Sequence, residues 1–326
     1  MSNLPFQIIR NDITKVEADA IVNTANPEPV IGSGADSAIY RAAGEKALLA
    51  ERKKIGKIER GRSVYTSAFA LRAKYIIHTA GPEWIDGTHG ERDVLRSCYE
   101  SALALAESLG CKSIAFPLIS SGVYRFPKDE ALNIALSEIG KYLLSHDMTV
   151  VLTVFDKASF ELSESLMGEI EQFIDERSVE TVRRNENLSR YNLRRECEIP
   201  AGASEKNLGE ILSGAGKTFQ QRLFELIDKS GMDDVKVYKK ANIDRKLFSH
   251  IRSTKNYKPK KKTAVAFAIA LELDLPTTRD LLKRAGIAFS DSDPFDLIIE
   301  YFITKGIYDI FEINAALFKY GQPTLG

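Results

Sequence analysis

Between residues 6 and 155 the chain keeps changing period. Short β-branched apolar runs stand at Phe6–Arg10, Ala20–Asn23, Ser63–Ser67, Tyr75–Thr79, Ser113–Pro117 and Thr149–Phe155. Helical patterns lie between and after them, at Asp36–Ala43, Glu91–Leu109, Lys128–Ser145 and Ser159–Asp175. The third opens after Pro127, a common helix start. Strands separated by helices of roughly 10 to 20 residues are joined by crossovers, so they lie parallel and need helical cover on both faces. The expected class is α/β, three layers, with a mostly parallel sheet. Ligands of such sheets sit beyond the carboxyl ends of the strands.

The pattern divides the chain into 1–177, a polar and turn-rich linker at 178–216, and an all-α region at 217–326. In the last, Phe219, Leu223, Leu226 and Ile227 form a helical stripe. Further helices are expected near Val235–Ala241, Asp244–Ser253, Lys262–Leu273, Thr277–Ala285, Pro294–Lys305 and Ile307–Phe318. Net charge is zero overall, but residues 1–177 carry 20 basic and 25 acidic groups, and 217–326 carry 19 and 14. Two surfaces with different partners are implied. The longest apolar run, Ala264–Leu271, is too short to cross a bilayer, and no signal-peptide pattern opens the chain. Cys98, Cys111 and Cys197 are unpaired in spacing, which suits a reduced cytoplasm and gives no zinc pattern. No metal and no cofactor is expected.

Three strand ends carry unusual residues: Asn23–Asp36 (NTANPEPVIGSGAD), Ser120–Pro127 (SSGVYRFP) and Phe155–Asp156. Glycines and serines at strand-to-helix turns let backbone N–H groups approach a phosphate. Taken singly, each is as readily a plain turn. Together with Asn11–Thr14, Gly34–Gly44 and Ile77–Pro82, they resemble the macrodomain signature, in order, over roughly residues 4 to 176. The resemblance implies a three-layer αβα macrodomain with a mixed, mostly parallel sheet, binding ADP-ribose at the strand ends. Carried over, Asp12 would accept from the adenine amino group, Ile13 would line that pocket and Phe155 would pack on the base. Backbone N–H groups of Ser121, Gly122, Val123 and Tyr124, with Ser120 leading in, would hold the diphosphate. Gly32, Gly34 and Ala35 would close from the other side. Asn23 is expected to tie loop backbone, and His78 to be a satisfied core histidine.

The resemblance extends to a hydrolytic branch through Asn26, which would orient the distal ribose, and Asp36, which would position or activate water. The implied substrates are O-acetyl-ADP-ribose or an ADP-ribosylated carboxylate side chain of a protein. A non-catalytic ADP-ribose sensor is the alternative. Ile31-Gly32-Ser33-Gly34 replaces a longer glycine run, Tyr40 replaces a usual His, and Arg125 stands where a Gly follows the loop aromatic.

In the all-α region, Val237–Arg252 resembles the helix-turn-helix of phage-repressor-like proteins. Between Lys236 and Lys262 there are eleven Lys and Arg and one acid, Asp244. A polyanion partner such as DNA would meet Arg245, Lys246, Ser249, Arg252, Lys258 and Lys260. A solvated basic face or a protein-contact domain is the competing expectation.

Overall fold

The computed structural model describes residues 4–155, 160–177, 180 and 217–326. Nearly all of the expected linker, Cys197 and Asp156 therefore lie outside the described residues. The strands are β1 (Phe6–Arg10), β2 (Ala20–Thr24), β3 (Ser63–Ser67), β4 (Tyr75–Thr79), β5 (Ser113–Pro117) and β6 (Thr149–Val154). They form one six-stranded sheet in the order β1-β6-β5-β2-β4-β3. Only β3 runs antiparallel, against β4. β2, β4, β5 and β6 are buried on both faces nearly throughout, which is why they read as continuous apolar runs rather than alternating ones.

Helices α1 (Ala35–Ala43), α2 (Glu45–Ile55), α3 (Glu91–Ser108) and α4 (Lys128–Ser145) cover this sheet. Ile21, Ile76, Ala115 and Val151 share one face with Ile39 and Tyr40 of α1 and Leu48 of α2. On the other face Tyr99 of α3 lies against Phe116 of β5, ring centroids 5.3 Å apart. Gly44, in the left-handed region at φ 105°, closes α1 and opens α2 with no break. After β2 the chain moves to β4 on one side, then returns to β5 on the other. The crevice between β2 and β5 is therefore the topological switch point where a ligand is expected.

The described chain separates into two compact units. The first holds residues 1–163 together with 238–244 and 309–326; the second holds 164–237 and 245–308. Beyond the sheet, after a helix over 164–177, come α5 (Phe219–Ser230), α6 (Asp234–Lys240), α7 (Arg245–Ser253), α8 (Lys261–Ala270), α9 (Leu275–Arg284), α10 (Pro294–Lys305) and α11 (Ile310–Lys319).

Within the first unit, α11 packs against α4 and β1. Phe311 meets Phe6 at 5.2 Å between ring centroids. A Cβ on Gly140 would reach 3.0 Å from the Phe311 ring, so this mid-helix glycine gives the ring its room. The free edge of β1 is occupied at Phe6, whose N–H donates to Asn242 Oδ1 at 2.8 Å. Asn242 Nδ2 donates to Phe6 O at 3.0 Å and to Leu325 O at 3.1 Å.

Within the second unit α8 is the buried centre, with every residue from Thr263 to Ala270 shielded. The buried Asp296 carboxylate accepts from Lys261 Nζ at 2.5 Å and Ser290 N at 2.7 Å. The buried Glu300 accepts from Arg279 at 2.6 Å. A capping box at Thr218 and Gln221 starts α5.

Candidate ligand cleft at the strand ends

A cleft of about 300 Å³ opens at the carboxyl ends of β2, β5 and β6. Its walls are the β2–α1 loop (Asn26 and Gly32 to Asp36), the β5–α4 loop (Leu118 and Ser120 to Tyr124), and Thr153 to Phe155. The β5–α4 loop is a set of turns. Ser120 and Arg125 hold left-handed φ of 63° and 54°, Arg125 N donates to Gly122 O at 2.9 Å, and Phe126 N to Ser120 O at 3.1 Å. The N–H groups of Ser121, Gly122, Val123 and Tyr124 have no hydrogen-bond partner among the described residues. A row of free backbone donors beside a helix start is suited to an anion. Gly81 leaves room here for the Ser120 hydroxyl, which a Cβ at position 81 would displace from its present rotamer. Phe155, just past the end of β6, is 73% exposed, an apolar side chain left for a partner.

Across the cleft, Asp36 sits in the first turn of α1, only 2% exposed. Its Oδ1 accepts from Asn23 Nδ2 at 2.6 Å and its Oδ2 from the Gly32 N–H at 2.5 Å. The carboxylate thus pins the glycine loop to β2. Burial pushes its pKa above the ordinary value, against the pull of Asn23, Gly32 and the Arg52 charge.

Behind Asp36 runs a buried polar chain. Asn23 Nδ2 is 3.1 Å from His78 Nδ1, His78 Nε2 is 3.0 Å from Thr66 Oγ1, and Thr66 Oγ1 donates to Ser67 O at 3.1 Å. A hydroxyl has one proton to give, so Thr66 accepts from His78 Nε2–H and leaves Nδ1 to accept from Asn23. His78 is thereby assigned as the neutral Nε2–H tautomer. Burial drives its pKa down to about 3, with Arg52 adding to the effect. Tyr40, beside Asp36, is pushed up to about 12 by burial first and by that carboxylate second.

Arg52 of α2 is 1% exposed and reaches under the loop. It donates to Pro27 O at 3.0 Å, Asn26 O at 3.3 Å, and Gly56 O. Asn26 lines the cleft; its Oδ1 accepts from Glu28 N at 3.1 Å, and its Nδ2 has no partner among the described residues.

The structure gathers Asn26, Asp36, Gly32, Gly34, Ala35, Ser120 to Tyr124 and Phe155 around one cavity. It does not place Asp12 or Ile13 on its wall. Asp12 caps a 3₁₀ turn, accepting from Thr14 N at 3.0 Å and Thr14 Oγ1 at 2.8 Å, while Ile13 is core. Sequence reasoning missed Arg52, because a buried cation breaks the apolar stripe by which a helix is found. It also missed Thr153, whose buried Oγ1 has no partner and which lines the cleft. The sequence signal for Thr153 is a hydroxyl at the carboxyl end of a buried strand.

Elsewhere, α6 and α7 form over residues 234–240 and 245–253, and Ala241, Ile243, Phe248 and Ile251 are each buried. Arg252 pairs with Asp234 at 2.7 Å and lies over the Phe224 ring, so it serves the local packing. Arg245, Lys246, Lys258 and Lys260 are exposed, as is Ser249, and those four cations have no carboxylate partner among the described residues. Asp86, His89 and Glu91 bring ligand atoms within 4.8 Å of one another. Glu91 is already engaged by backbone, accepting from Gly87 N at 3.1 Å and His89 N at 2.7 Å. No helix among the described residues is long and apolar enough to cross a membrane.

The family model described as Macro domain matches residues 22–135. A macro domain-containing protein of Methanosarcina mazei is 43% identical over 167 residues, 51% of this chain and 89% of the relative. The chain belongs to the macro domain family. O-acetyl-ADP-ribose deacetylase 1 of Pantoea vagans is 42% identical to this macro domain protein over 168 residues, 49% of this chain and 97% of that one. A solved Oceanobacillus iheyensis macrodomain with ADP is 37% identical, with a TM-score of 0.45, covering 47% of this chain and 84% of that chain.

Proposed function

We propose that the cleft binds ADP-ribose and hydrolyses an ester on its distal ribose, in O-acetyl-ADP-ribose or an ADP-ribosylated Asp or Glu side chain. The carrying observation is that free backbone donors of Ser121 to Tyr124 face the Asn26 and Asp36 wall across one cavity. Phe155 receives the adenine at the β6 end, and the loop donors take the diphosphate. Asn26 Nδ2 orients a hydroxyl of the far sugar. Water then attacks the ester carbonyl, the acyl C–O bond breaks, the free acid leaves, and the proton from water ends on the ribose oxygen. Asp36 holds the glycine loop against that sugar and, with basicity raised by burial, takes part in accepting the water proton. Relatives bearing the name O-acetyl-ADP-ribose deacetylase support the same chemistry.

Asp36→Ala is expected to lower kcat by about 10²- to 10⁴-fold on O-acetyl-ADP-ribose, while calorimetry still detects ADP-ribose binding. The acid limb of the wild-type pH–rate profile should lie above 3.8, since Asp36 is raised from that value. Tight ADP-ribose binding without turnover would leave a sensor instead.

A second reading concerns the helical region. The unpaired Arg245, Lys246, Lys258 and Lys260 favour a polyanion such as DNA. Gel shifts over a salt series, with and without ADP-ribose, test it. Absence of a salt-dependent shift would reject it.

A further inference from the structure

The cleft has a direction. Its β6 end carries Phe155 and its far end carries Gly81, just past β4, with β5 and β2 between. Neighbouring strands lie about 4.8 Å apart, so the ends are roughly 14 Å from each other. A ligand with its base on Phe155 and its diphosphate on the Ser121 loop sends whatever it carries on the far sugar out between Gly81 and Tyr124.

Arg60 stands at that exit. Its guanidinium lies over the Tyr124 ring, 5.3 Å from the centroid, and donates to Gly81 O. These contacts hold the planar group in place and leave most of its N–H donors free. The residue is exposed and has no carboxylate within ion-pair distance among the described residues. Neighbouring acids do not neutralise it: Glu59 lies 3.9 Å from Lys57, and Asp93 lies 3.8 Å from Arg96. Glu83 makes no ion pair with it. The loop carrying it is fixed, since Gly61 N donates to Ala80 O at 2.9 Å and Ala80 N to Arg62 O at 3.3 Å.

We infer that Arg60 is a specificity residue that selects ADP-ribose attached to an acidic protein segment over ADP-ribose bearing a small neutral acyl group. This rests on the cleft binding ADP-ribose as proposed above, and it narrows the substrate class. An oriented, unpaired guanidinium at the exit favours carboxylates flanking the modified side chain. An acetyl group offers it a neutral carbonyl but no charge to meet.

The test uses the full chain and binding rather than turnover. ADP-ribose itself is titrated beside two peptides carrying ADP-ribose through a non-hydrolysable linkage, one flanked by Asp and Glu, one by Asn and Gln. Wild type should bind the acidic peptide about 3- to 10-fold more tightly at low salt, the ratio shrinking as salt rises. Arg60→Gln should bring the ratio to about one, and Arg60→Glu should invert it. Equal affinity of wild type for the two peptides, or an acidic preference surviving Arg60→Glu, overturns the inference while ADP-ribose binding stands. Failure to bind ADP-ribose at all overturns both. Absence of hydrolysis with the acidic preference intact overturns only the catalytic reading.

Discussion

His78 shows how far one buried side chain governs the site. Its ring is fully shielded and locked as the Nε2–H tautomer between Asn23 and Thr66. The folded protein holds it neutral down to about pH 3, whereas an unfolded chain protonates it near 6.5. Below pH 6.5 the unfolded state therefore binds the extra proton. Stability from this residue is complete above 6.5 and is lost progressively as pH falls toward 3, by about 2 kcal/mol at pH 5. Urea titrations between pH 7 and 5 should show that slope in wild type and a shallower one in His78→Gln. Equal slopes would refute the assignment. Arg125 makes a second case. Its φ of 54° belongs to the region glycine prefers, so Arg125→Gly should stabilise by roughly 0.5–1 kcal/mol, read as a higher urea midpoint. The sequence already marked position 125 as an expected glycine, but only the backbone angle says why. Asn26 and Asp36 were legible because they sit in a patterned loop. Arg52 was not, because nothing local betrays that its guanidinium binds backbone carbonyls at Asn26 and Pro27.

At the scale of elements, strands were readable and one helix was not. The strands are buried apolar runs, and each forms close to its expected place. Helix α2 escaped because its inward positions are Leu48 and Arg52, so its sequence EKALLAERKKI presents no apolar stripe. The expected Ser159–Asp175 helix is described only from residue 164. What joins α11 and the Asn242 turn to the sheet was also hidden. Asn242 has φ 53° and is 1% exposed, and its amide bonds Phe6 from 236 positions away. An asparagine tolerates that backbone, and its side chain mimics a peptide group facing a strand edge. Asn242→Gly keeps the backbone comfortable and removes only the amide. Burial leaves the Phe6 N–H and C=O unsatisfied, while Leu325 O keeps Asn314 Nδ2, so a loss of about 1–3 kcal/mol is expected in urea denaturation. A loss below 0.5 kcal/mol would mean that water replaces the amide.

For the whole molecule, the match to the macro domain-containing relative covers about half of the chain, yet the unit built on the sheet draws residues from both extremes of the chain. Phe6 is 1% exposed because Phe311 and Asn242 cover it. Ile310, Ile313 and Leu317 of α11 are buried as well. A fragment ending at residue 216 keeps every strand and every cleft residue but loses this cover. It then presents a bare β1 edge beside an exposed Phe6, the arrangement that recruits another strand. Re-exposing the Phe6 ring alone costs about 1.5–3 kcal/mol, and the emptied face at Gly140 adds to it. The fragment should unfold at lower urea than the sheet-bearing unit of the full chain and should self-associate on size exclusion. Its ADP-ribose affinity should stay close to that of the full chain while it remains folded, because none of the cleft-lining residues lies beyond Phe155. A monomeric fragment of undiminished stability would show that α11 and Asn242 rest on the sheet without supporting it.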